Sequence, residues 1–168
     1  MTSYLVKFSR KRNWDILQFD WLVRGEVQSD PITDLRTKDG KLSVWEIDED
    51  RSNLELVLLA LACTRWDLDE IDFGLFNGEV AQELGIAIEH GRANTPVRRA
   101  NPYHRNLTEL TVSRLANFVY AAFPHIEKER RLPGEVTKLI LEAWSGEVKQ
   151  DEVDARLREK IEQAIGTQ

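Results

Sequence analysis

Between His90 and Arg105 the chain reads HGRANTPVRRANPYHR: four arginines, two histidines and no carboxylate, in a protein of formal net charge −6. Guanidinium forks bind phosphate or carboxylate through paired, charge-assisted hydrogen bonds. Histidine titrates near neutrality and can carry a proton in either direction. The segment runs into Asn106-Leu107-Thr108-Glu109, which has the cap-then-glutamate spacing of a helix start. A helix start leaves four amides without internal partners and carries about half a positive charge. The spacing therefore predicts an anion site built from Arg92, Arg98, Arg99, His104 and Arg105 ahead of a helix N-terminus. Pro96 and Pro102 stiffen the loop, Gly91 frees its entrance, and Tyr103 can stack on a base or sugar.

Two uses of these arginines stay open. They can meet an external anion, such as RNA, DNA or an acidic protein surface. They can also pair with the acids between Asp67 and Asp72 and hold the loop down. An exposed ion pair contributes only about 0–1 kcal/mol, so four arginines are a lavish fastening for one loop.

Arg99-Ala-Asn-Pro-Tyr-His104 also resembles the Arg-x4-6-His signature of HEPN-type ribonucleases. The resemblance implies an all-helical protein whose arginine–histidine pair faces RNA across a dimer. His104 would work near the ribose 2′-hydroxyl or leaving group, and Arg99 would steady the phosphate. Ala100 stands where that family has a polar residue, and Pro102 falls inside the spacing. This makes a metal-independent ribonuclease the alternative to a binding protein.

Elsewhere the charge is segregated. Lys7, Arg10, Lys11 and Arg12 form a second basic patch without an acid among them, whereas Glu46 to Asp72 holds nine acids against Arg51 and Arg65. Such segregation suits either an internal charge match or an anionic partner. The three histidines lie far apart and the single cysteine, Cys63, sits in an apolar run, so no zinc spacing and no disulfide are expected. Asp30, Asp34, Glu46 and Asp48 flank a predicted hairpin and read as solvated or paired acids rather than magnesium ligands. No phosphate-binding loop, dinucleotide fingerprint or serine elbow is present. No cofactor is called for. Trp14, Trp21 and Trp45 are expected to fill the core; one left exposed beside Lys7 to Arg12 would instead be a binding platform.

The elements that must position these residues follow from periodicity. Tyr4–Phe8, Leu17–Val23, Leu42–Ile47 and Ile71–Phe76 read as strands, and Ile86-Ala87-Ile88 as a brief one. Ser29-Asp30-Pro31 reads as loop, and Lys38-Asp39-Gly40-Lys41 as a tight turn. Ser52-Asn53-Leu54-Glu55 resembles a capping box, followed by an apolar helix to Cys63. Val112 to Phe123 and Pro133 to Trp144 carry the 3.6-residue repeat. A final helix from Asp151 presents Val153, Leu157, Ile161 and Ile165 as a narrow stripe, a face for the domain edge or another subunit.

The expected architecture is a single α+β domain over 1–168. A mixed part (1–89) forms a small antiparallel N-terminal sheet around a buried helix. The basic loop (90–105) leads to a three-helix C-terminal part (106–168). The composition is that of an ordinary globular chain, with 42% hydrophobic and 31% charged residues. No apolar run approaches the roughly 20 residues of a membrane span, and the start has no signal-peptide pattern, so a cytoplasmic protein is expected. The leading expectation is a non-enzymatic binding or accessory protein with an anionic partner.

Overall fold

The computed structural model describes residues 2–8, 26–27 and 29–166. The expected strand over Leu17–Val23, the tryptophans Trp14 and Trp21, and the cations Arg10, Lys11 and Arg12 lie outside the described residues.

The architecture is α+β, built on a six-stranded antiparallel sheet. Its strands are β1 (Ser3–Phe8), β2 (Leu42–Ile47), β3 (Ile71–Asn77), β4 (Ile88–His90), β5 (His104–Leu107) and β6 (Glu127–Arg131), in the spatial order β4-β5-β2-β1-β3-β6. The helices are α1 (Ser29–Asp34), α2 (Leu54–Cys63), α3 (Glu79–Glu83), α4 (Val112–Ala122), α5 (Pro133–Ala143) and α6 (Ala155–Gly166).

The sheet is wider than the sequence leads one to expect, because β5 and β6 come from the C-terminal half. Asn106 does not start a helix. It lies in β5, where His104 pairs with Trp45 and Leu107 with Leu42 of β2. β4 then adds to the outer side of β5. The first two of the four residues that read as a cap, Asn106 and Leu107, are drawn into the ladder because Leu107, fully buried, fills the core against β2. Glu109 turns the chain at φ 56, and the next helix begins at Thr111, whose hydroxyl accepts the Arg114 amide at 3.2 Å. Ser29-Asp30-Pro31 is likewise the first turn of α1 rather than loop.

Both faces of the sheet are covered. Strand alternation sends Leu5, Trp45, Ile47, Phe73 and Leu75 to a core shared with α2, α5 and α6. It sends Tyr4, Val6, Val44, Phe76 and Leu107 to the other face, under α1, α3 and α4. A sheet buried on both sides needs apolar residues at nearly every position, and β3 is buried from Ile71 through Phe76. Asp72 is the charged member of that run. The Arg130 guanidinium of neighbouring β6 donates to both of its oxygens, at 2.6 and 2.8 Å.

The Asp39-Gly40 turn forms as expected, with φ of 53 and 67 and reciprocal Lys38–Lys41 backbone bonds at 2.9 Å. The capping box before α2 does not. Asn53 holds the cap position, while Ser52 donates its hydroxyl to Asp48 at 3.1 Å. Trp45 is core, as expected, at 5% exposure.

Candidate functional site

The arginines of the basic segment do not converge. Arg98 pairs with Glu152 and also donates to Asn94. Arg99 pairs with Glu147. Arg105 meets Glu46 at 2.6 Å and donates to the Pro102 and His104 carbonyls at 2.7 and 2.9 Å. It also stands 3.1 Å from His90 Nδ1. The acids used are thus one on β2 and two beside the α5–α6 connection, not the Asp67–Asp72 set. Asp67 is engaged by Lys160, Asp69 by Arg65 and Asp72 by Arg130.

This wiring has a structural logic. Val97 and Ala100 are buried in the same core as Val148 and Val153. The Lys149 amide donates to the Pro96 carbonyl at 2.8 Å. Arg98 and Arg99 therefore clasp the segment to the stretch ahead of α6. Arg92 is exposed and has no ion pair among the described residues. The helix end expected at Asn106 is absent, so no helical amides face these cations.

His104 turns inward. It is 8% exposed, with its ring edge-on to Trp45 at a 5.0 Å centroid distance. Its Nδ1 is buried without a hydrogen-bond partner. Burial lowers its pKa, a contact with the Gly91 backbone partly opposes this, and the Arg105 charge lowers it again. Gly91 is required beside it, since a Cβ there would lie 2.0 Å from Nδ1. Arg99, by contrast, is exposed and turned to Glu147. The pair lies in a turn and at the start of β5, an interior strand of the sheet, not on the helix that the HEPN-type resemblance implies.

A different place gathers unspent charge. Where β1 ends, a cleft of about 740 Å³ opens between the C-terminal end of α2 and the turn after α1. Lys7 and Ser43 enter from the sheet on the face shared with Trp45. Thr64, Arg65 and Trp66 follow the last turn of α2, and Arg36 comes from beyond α1. Asp69 and Glu70 stand on the approach to β3, Asp72 lies within it, and Asp34 ends α1.

The three cations differ in how they are held. Arg65 is committed, donating to the Asp69 and Glu70 carbonyls at 3.2 and 2.6 Å. Lys7 and Arg36 are exposed and have no ion pair among the described residues. The Lys7 ammonium pKa is lowered, first by desolvation at the cleft wall and then by the Arg65 and Arg36 charges. The acids of the same lining are placed otherwise: Asp69 is paired with Arg65 and Asp72 with Arg130, and Asp34 is buried at the end of α1. Like charges held together without an ion pair favour an anion beside them. Trp66 stands at the rim, 62% exposed, with the Arg156 guanidinium 5.7 Å from its ring centre. An apolar groove of about 390 Å³ between α1 and α4 shares Arg36 with the cleft.

Lys7 belongs to the second basic patch that the sequence suggests. Arg36 and Trp66 are not legible as a site, being single residues in separate segments that only the fold unites. The faint signal is Thr64-Arg65-Trp66 itself, a tryptophan and a cation placed just past an otherwise apolar helix. Among the described residues, no group of three or more His, Cys, Asp or Glu side chains is placed to hold a metal. No helix among them is long and apolar enough to cross a membrane.

No protein-family model, curated protein or solved structure matches this chain.

Proposed function

We propose that this chain is a non-enzymatic binding protein for an anionic partner, and that the contact is the Lys7–Arg36 cleft rather than the His90–Arg105 segment. One observation carries the reading: Lys7 and Arg36 share a cleft and neither forms an ion pair among the described residues, although Asp34, Asp69, Glu70 and Asp72 also line it. Arg98, Arg99 and Arg105 are each neutralised by an acid of the same molecule. Releasing any of them to a ligand would expose Glu152, Glu147 or Glu46 to that ligand, which costs much of what the new contact gains.

Two double variants separate the sites. Lys7→Ala with Arg36→Ala empties the cleft of free cations, and Arg98→Ala with Arg99→Ala empties the segment. Labelled RNA, DNA and a phosphorylated small molecule are titrated against each at two salt concentrations. The cleft variant is expected to lose binding, while the segment variant keeps the affinity and loses thermal stability. Two phosphate contacts give a shallow salt slope of about −1.4 to −1.8. Loss of binding in the segment variant alone contradicts the proposal. So does RNA cleavage in EDTA that disappears in His104→Ala, which would restore the Arg99/His104 ribonuclease.

A further inference from the structure

Resting on that reading, we infer that the cleft takes a monomeric phosphate monoester carried on a flat heterocycle, the chemistry of a nucleoside monophosphate, and not a nucleic-acid strand. Three features argue for it. First, Lys7 and Arg36, which form no ion pair among the described residues, match the charge of about −2 on one phosphate monoester at neutral pH. The Ser43 hydroxyl, exposed in the same cleft, adds a donor. Second, Trp66 offers an indole at the rim, 62% exposed. Arg156 stands over the ring, and the exposed indole offers a surface on which a base can stack, since stacking of this kind tolerates any heterocycle. Third, the volume of about 740 Å³ falls within the range of small-ligand sites, about 300–1,000 Å³.

The acids of the same cleft decide between monomer and strand. Asp69, paired with Arg65, and Glu70 are exposed at its edge, while Asp34 and Asp72 of the same lining are buried. The carboxylates of Asp69 and Glu70 can accept from sugar hydroxyls or an exocyclic amine, and they repel a second phosphate. A strand needs a track of cations leading away from its first contact. The arginines that would have made such a track, Arg98, Arg99 and Arg105, are engaged with acids.

The test titrates the full chain with adenosine 5′-monophosphate, adenosine, inorganic phosphate and a single-stranded RNA oligomer, read by calorimetry and by tryptophan fluorescence. The monophosphate is expected to bind at least about tenfold more tightly than adenosine or phosphate alone. Trp66→Phe is expected to retain binding and lose most of the fluorescence change. Trp66→Ala is expected to weaken binding about tenfold, and Lys7→Gln with Arg36→Gln to abolish preference for the monophosphate over adenosine. Circular dichroism confirms that these surface variants are folded. If RNA binds through Lys7 and Arg36 while the monophosphate does not, this inference is overturned and the anionic cleft stands. If neither binds, both fall. Equal affinity for adenosine and its monophosphate also overturns the inference.

Discussion

His104 shows how position, not residue type, sets what an imidazole can do. Enclosed by Trp45 and Gly91, with Arg105 adjacent, the imidazole has its pKa lowered first by burial and then by the Arg105 charge. Its folded pKa lies below the ordinary 6.5, so the unfolded chain binds more protons in that range. Its contribution to stability is fully present above about pH 6.5 and is lost as pH falls through the lowered folded value. Urea unfolding between about pH 5 and 7.5 should therefore show stability rising with pH, with the slope reduced in His104→Gln. An unchanged slope in that variant would remove the buried imidazole from the account. The sequence marks His104 as a residue able to do chemistry. It does not reveal the burial, which comes from pairing with Trp45 some sixty positions earlier (a contact of the ladder, not of local pattern).

At the element scale, short segments answer to their neighbours. Val112–Ala122 and Pro133–Ala143 were legible because each repeats its apolar spacing over three turns and carries its own stop or start. Asn106–Glu109 has the residue types of a cap but only four positions of signal, and the sheet edge at β2 recruits His104–Leu107 instead. The start of α2 makes the same point. Asn53, 4% exposed, accepts the Asp48 amide and donates to the Glu46 carbonyl, each at 3.0 Å. Its side chain ties the helix to the end of β2 rather than capping it. Asn53→Ala should cost about 2 kcal/mol for two interior hydrogen bonds, and Ser52→Ala, exposed, within about 0.5 kcal/mol. Denaturant midpoints of the two variants check this ordering, and a larger loss for Ser52→Ala would reinstate the capping box.

Over the whole molecule, charge is arranged in two ways. Around α6 and β6 acids and bases neutralise each other: Arg98 with Glu152, Lys160 with Asp67, Arg131 with Glu55, Arg51 with Glu127. At the end of β1 two cations have no ion pair among the described residues. A linear reading finds dense charge easily, and so it found His90–Arg105. Density is a poor guide to availability, because the fold brings Glu46, Glu147 and Glu152 from distant positions to those arginines. Lys7 and Arg36 are sparse in sequence yet without an ion pair among the described residues. The most direct test is the nuclear magnetic resonance spectrum of the 15N-labelled full chain titrated with adenosine 5′-monophosphate. Shifts at the Lys7, Arg36 and Ser43 amides and the Trp66 indole N–H are expected, with Arg92, Arg98 and Arg99 silent. Shifts confined to those arginines, with the cleft unmoved, would contradict the central claim.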